Sequence, residues 1–122
     1  MTVATASLLG RHVLIVEDEY WLAEAMAKDL AASGAVVVGP VPTVTRALDL
    51  IGHGKPIHGA VLDINLRGEL VYPVAEALRA LGVPFVFATG YDRSIVPDAF
   101  GDVLVCLKPI KVETVRAALF ER

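Results

Sequence analysis

Cysteine, histidine and charge of one sign are all scarce in this chain. A single cysteine, Cys106, in 122 residues excludes an internal disulfide and with it the stapled scaffolds of small secreted domains; a cytoplasmic setting is expected. The net charge of −3 supplies no basic surface, so direct nucleic-acid binding is not expected. The longest run without charge, residues 30–45, is broken by Gly34, Gly39, Pro40 and Pro42 and is too short to insert in a membrane. Residues 1–10 lack a basic start and a long apolar centre, which argues against a secretion signal. They read as a loose tail, leaving residues 11–122 as one domain. The apolar fraction of 55% is ample for a buried core.

What is present is a repeat of five Val-rich apolar runs, each followed by a helical or irregular stretch. The runs are HVLIVE (12–17), AVVVG (35–39), HGAVLD (58–63), PFVFAT (84–89) and DVLVCL (102–107). They are nearly continuous rather than alternating, as parallel strands covered on both faces are. Between them, Leu22, Ala25, Met26 and Leu30 fall at helical spacing before Gly34. Thr43 can cap a helix carrying Val44, Leu48 and Ile51, and Pro73 opens one that carries Val74, Leu78 and Leu81. Val112, Val115 and Leu119 mark a last helix over 112–121. The fourth, DRSIVPDAFGD, contains Pro97 and is expected to be short or irregular. Strict alternation predicts an α/β fold, a doubly wound five-stranded parallel sheet of flavodoxin-like order 2-1-3-4-5.

In such sheets ligands gather beyond the carboxyl ends of the strands. The first run ends there in Glu17-Asp18, the third in Asp63 and the fourth in Thr89-Gly90, and the fifth runs into Lys108-Pro109. The second ends in Gly39-Pro40, which reads as inert. Any one of these is ordinary: an acidic pair can be a helix cap, and Thr-Gly a turn. Together they bring three carboxylates, a hydroxyl and an ammonium to one edge. Carboxylates so crowded need a cation or a proton between them, and an oxygen-only set favours a hard ion such as Mg²⁺, with Mn²⁺ as a substitute. His12, His53 and His58 fall on the opposite edge, which disfavours a zinc or iron centre. Cys106 reads as a small core residue. Trp21, off the core stripe of the first helix, reads either as a partner contact or as partly buried.

With these residues in place, the sequence resembles a bacterial response-regulator receiver domain over residues 11–121, through VEDE (16–19), VLDINL (61–66), FATGY (87–91) and LKP (107–109). The resemblance implies a phosphoacceptor at Asp63 and a metal site of Glu17, Asp18 and Asp63, completed by the backbone carbonyl of Asn65. It implies a phosphoryl-sensing hydroxyl at Thr89 and an assisting Lys108 followed by a cis peptide to Pro109. It further implies phosphoryl transfer from a histidine kinase or histidine phosphotransfer protein, with output by contact with a downstream protein target. The chain would then be its own substrate rather than an enzyme. Gly90 would leave the phosphoryl group room to enter.

Two features depart from the common pattern. The strand-five position that usually carries an aromatic switch is Val105, and NLRGE after Asp63 lacks the usual proline. With FVFATGY they resemble the FAT GUY subfamily, generally single-domain receivers paired with HWE-type kinases, and make Tyr91 a candidate output residue. A degenerate receiver used only for binding is the alternative, which the intact residue set argues against. A small Asp-nucleophile phosphatase would require Asp-x-Asp after the first strand, whereas Asp63 lies on the third and is followed by Ile64-Asn65. A flavodoxin would require a hydroxyl-rich loop where EDEYW stands.

Overall fold

The computed structural model describes residues 8–90 and 96–121. Its strands are β1 (His12–Val16), β2 (Val36–Val41), β3 (Gly59–Asp63), β4 (Asn65–Leu66), β5 (Glu69–Leu70), β6 (Phe85–Thr89) and β7 (Val105–Leu107). Its helices are α1 (Tyr20–Ala32), α2 (Val44–Gly52), α3 (Tyr72–Ala80) and α4 (Val112–Phe120). Five strands pair in parallel in the order β2-β1-β3-β6-β7, and β4 and β5 form a separate antiparallel hairpin. The doubly wound order expected from the alternation is therefore the order observed.

The near-continuous apolar strands feed two cores. Leu14, Val16, Leu62, Phe85 and Phe87 face Val44, Ala47, Val74 and Leu78 of α2 and α3. Val13, Ile15, Val61, Val86 and Ala88 face Leu30 of α1 and Val115 and Leu119 of α4. Each of the valines, leucines, isoleucines and phenylalanines among them contributes about 1.5–3 kcal/mol on full burial, so the central strands are pinned from both sides. Local signals place the helices: the Thr43 hydroxyl accepts from the Arg46 N–H at 3.2 Å, and Pro73 lies in the first turn of α3.

Several boundaries differ from the sequence expectations, each for a local reason. Residues 8–10 are not a loose tail: Leu8 is buried, and the Gly10 N–H donates to the Gly34 carbonyl at 2.9 Å. The second strand does not stop at Gly39-Pro40 but continues to Val41 through a bulge, Leu14 pairing with Val38 and Val16 with Val41. Gly39 absorbs the extra residue at φ 91°, where a β-carbon would stand 2.9 Å from the Val41 nitrogen. The fifth strand begins at Val105 because residues 102–104 still belong to the turn back from the crossover, with the Val103 N–H donating to the Phe100 carbonyl. The buried stripes are also rotated: α1 buries Ala23 rather than Ala25, and α2 Ala47 rather than Leu48. Between β6 and β7 the described residues hold no α-helix, only a 3-10 turn, Asp98–Phe100, in keeping with the expected irregular fourth element. Among the described residues no helix is long and apolar enough to cross a membrane.

Candidate functional site

Burial singles out the site. Glu17, Asp63 and Thr89 are the buried polar residues among those described, and all three stand at carboxyl ends of neighbouring strands. Polar groups pay a desolvation cost unless partnered, so their convergence requires an explanation. Strand geometry delivers each. The Glu17 N–H donates to the Val41 carbonyl at 3.0 Å, so the bulged end of β2, read as inert, in fact sets the turn that presents the acidic pair. The Glu17 carboxylate then accepts from the Glu19 N–H at 3.0 Å. On the other side, the Lys108 N–H donates to the Thr89 carbonyl at 2.8 Å, tying LKP to the end of β6.

Lys108 Nζ lies 3.1 Å from Asp63 Oδ2 and 3.2 Å from both oxygens of Glu17. Glu19 is more distant, at 3.9 Å. Asp18 is met from the opposite side by Arg67, whose Nε is 3.4 Å from Oδ2. Carboxylate oxygens of Glu17, Asp18 and Asp63 lie within 4.8 Å of one another. This crowding raises the Asp63 carboxyl from its ordinary 3.8 to about 7, through burial first, then the hydrogen bond with Asp18 and the charge of Glu17; Lys108 pulls it down, but less strongly. Burial lowers the affinity of Lys108 for its proton, yet Asp63 and Glu17 outweigh it and the net shift is upward.

The donor set fits a hard divalent cation: three convergent carboxylates, all oxygen ligands, one of them with its pKa raised by burial and by its acidic neighbours, which added positive charge would relieve. A crevice of ≈ 50 Å³ between Leu22 and Met26 of α1 and Pro109-Ile110 reaches Glu17, Asp63 and Lys108. Pockets for drug-sized ligands run to roughly 300–1,000 Å³, so this crevice is too small for a flavin.

The remaining expected residues are placed as follows. The Asn65 N–H donates to Asp63 Oδ1 at 3.2 Å, so this residue buttresses the carboxylate whatever its carbonyl does. Gly90 has no left-handed φ, and a β-carbon built there meets nothing within 4 Å among the described residues. Backbone conformation therefore does not demand a glycine here. The Lys108–Pro109 peptide is cis. Val105 is half-buried beside its register partner Phe87. Tyr91 lies outside the described residues. Trp21 is 82% exposed, which removes the partly buried alternative, and its ring meets Tyr20 edge-on at 5.5 Å. Cys106 is half-buried against the α1–α4 core. His12 and His58 pair on the far edge, the His12 N–H donating to His58 Nδ1 at 2.8 Å, so neither approaches the carboxylates.

Sequence reasoning missed Arg67, the β4–β5 hairpin that carries it and the aromatic cluster of Tyr72, Phe85, Phe87 and Phe100. The hairpin has only two residues per strand and an Arg-Gly link, too short for alternation to register and without the Asn-Gly signature of such turns. The cluster draws on three separate segments, and only tertiary structure joins them.

No family model matches the chain, and no curated protein does. Solved structures do. A solution structure of SdrG from Sphingomonas melonis Fr1 is 43% identical with a TM-score of 0.77, over 92% of this chain and 94% of that one. The BeF3-activated conformation of SdrG from Pseudomonas melonis Fr1 is 41% identical, TM-score 0.72, over 98% and 96%. The PhyR response regulator REC domain of Erythrobacter litoralis is 26% identical, TM-score 0.72, over 92% and 88%. With such identity over nearly the whole of both chains, and the acidic edge at the carboxyl ends of the same parallel order, this chain belongs to the response-regulator receiver domains.

Proposed function

We propose that the protein takes a phosphoryl group onto Asp63 from a phosphohistidine on a partner, in a Mg²⁺-dependent reaction, and signals by protein contact. The observation that carries this reading is the Asp63 carboxylate, buried, 3.1 Å from Lys108 Nζ and grouped with two further carboxylates. Asp63 Oδ attacks phosphorus, the P–N bond breaks, and its electron pair leaves on the imidazole nitrogen. Asp18 and Asp63, with Glu17 through water and the Asn65 carbonyl, would hold Mg²⁺, which supplies charge to offset the phosphoryl oxygens. Lys108 exchanges its contact with the Asp63 carboxylate for one with the acyl phosphate. Thr89, at the end of β6, donates to a phosphoryl oxygen. Asn65 fixes the attacking carboxylate through its N–H.

The new charge of about −1.5 to −2 draws on Thr89 and Lys108, whose backbones are already hydrogen-bonded. With Val105 in place of an aromatic switch, the response leaves through Gly90, Tyr91 and the crossover that follows. FATGY and Val105 support a place in the FAT GUY group, with an HWE-type kinase or a phosphotransfer protein as donor. That SdrG, 41% identical, has a BeF3-activated conformation supports phosphoryl-dependent activation, since BeF3 on a carboxylate has the shape and charge of a phosphoryl group.

The test is acetyl phosphate with Mg²⁺ followed by intact mass. Wild type gains one phosphoryl group, Asp63→Asn gains none, and chelation of the metal abolishes the gain. A wild type that stays unmodified with acetyl phosphate, phosphoramidate and a phosphorylated phosphotransfer protein would leave a binding-only receiver instead.

A further inference from the structure

The β4–β5 hairpin turns on a residue that ordinary turn chemistry would not select. Leu66 and Glu69 pair across it, so Arg67 and Gly68 form the link, with φ of 55° and 94°. Two consecutive positive φ values mark a type I′ turn, which favours Asn-Gly. A glycine adopts this region freely, whereas a β-carbon there is strained. Arg67 is the one non-glycine residue with positive φ among those described. The turn does not depend on its side chain, because Asn65 Oδ1 already accepts from the Gly68 N–H at 2.6 Å.

That side chain is 82% exposed, yet it points inward, Nε 3.4 Å from Asp18 Oδ2, a carboxylate only 13% exposed. An ion pair with so open a partner contributes almost nothing to stability. Neither turn geometry nor folding energy accounts for an arginine here; its position does. The three carboxylates are divided between two cations: Lys108 serves Glu17 and Asp63, and Arg67 serves Asp18.

We infer that Arg67 is a tethered counter-cation that competes with the divalent ion for Asp18 and so sets the metal affinity of the site. The inference rests on the metal-dependent reading above. An incoming doubly charged ion needs Asp18 and meets a fixed positive charge already on it, so occupancy falls relative to a site without Arg67. Because the Arg67 side chain is 82% exposed, it swings clear at little cost. The competition therefore lowers affinity without blocking entry. Lys108 differs, being 14% exposed and confined between its two partners.

Calorimetric titration of Mg²⁺ into the full chain at low ionic strength tests this, with Trp21 emission as a parallel signal. Arg67→Asn removes the charge and suits the turn, so it folds. Its dissociation constant should fall by on the order of threefold to tenfold, and the difference should shrink at about 0.5 M salt. Arg67→Lys, which keeps the charge, should stay near wild type. Lys55→Gln lowers the net charge equally from the opposite edge of the sheet and should leave the constant unchanged. Equal constants for wild type and Arg67→Asn overturn the inference and leave the metal site standing, as does an equal gain in Lys55→Gln. Absence of binding to both wild type and Arg67→Asn overturns the inference together with the metal-dependent reading.

Discussion

The connection from β3 to α3 and the crossover from β6 to β7 leave the same edge of the sheet, but different forces hold them. The first is closed by main-chain bonds. The Ile64 N–H donates to the Ala88 carbonyl and the Val71 N–H to the Ile64 carbonyl, both at 3.0 Å, with the β4–β5 pairing between. In the described part of the second, the Phe100, Gly101 and Val103 N–H groups donate to the Pro97, Asp98 and Phe100 carbonyls within their own turn, and side chains tie that turn to α3. Arg79 donates to the Ala99 carbonyl at 2.8 Å and to both Asp102 oxygens at 3.1 and 3.2 Å, and its guanidinium lies over the Phe100 ring at 5.1 Å. Phe100 in turn stacks on Tyr72, at 5.6 Å and 15°. A turn tied to its neighbouring helix by a few side chains opens more readily than a connection whose backbone bonds reach a central strand. The stiff connection thus frames Asp63, and the described part of the other, residues 97–103, is the more pliable of the two.

Phe100→Ala should break this comparison most severely. The ring is 4% exposed and touches Tyr72, Phe85 and Phe87, so its removal should cost about 3 kcal/mol in urea unfolding. Amide exchange carries the sharper readout: protection should fall across residues 98–104 while Val71 and Ile64 keep theirs. Equal loss on both sides would mean that the two connections are one cooperative unit.

The acid–base properties of Asp63 come next in size and act at the root of the stiff connection. Its folded pKa is about 7 against an ordinary 3.8, so between these values the folded state binds the extra proton. Stability contributed by that proton is complete below pH 3.8 and is lost as pH rises to about 7, by about 1–3 kcal/mol once screening is allowed for. Metal-free wild type should therefore lose stability relative to Asp63→Asn across that window, and Mg²⁺ should recover it. Parallel pH profiles for the two proteins would show that the crowded carboxylates are relieved in some other way.

Most of this architecture is legible in the sequence because its determinants are local and repeated. Five apolar runs, the Thr43 cap and Pro73 fix the order of elements, and chemistry at four strand ends fixes the edge. The parts that are not legible depend on partners distant in the chain. The glycine at 39 looks like a stop until Ile15 and Val41 close around it as a bulge, and only then does Val41 hold Glu17. Burial of Leu8 depends on the α1–α4 core, and the hairpin that aims Arg67 at Asp18 has no sequence period. Asp102 reads as strand until Arg79 of α3 claims it.

That last residue gives the smallest predicted effect and the finest test of how the pliable connection is held. Asp102 is 73% exposed, so the pair with Arg79 is well screened and Asp102→Asn should lower the melting temperature only slightly. Its carboxyl is held below the ordinary carboxylate range, chiefly by the Arg79 hydrogen bond. The sign is therefore opposite to that of Asp63. The contribution is present above the unfolded value of 3.8 and is lost as pH falls through the lower, folded one. Wild type and Asp102→Asn should differ slightly at neutral pH, converge in acid and converge again in about 1 M salt, where the Debye length is about 3 Å. A difference that survives both acid and salt would mean that the carboxylate acts by packing. The cation over the Phe100 ring, rather than the ion pair, would then be what holds Arg79 across the crossover.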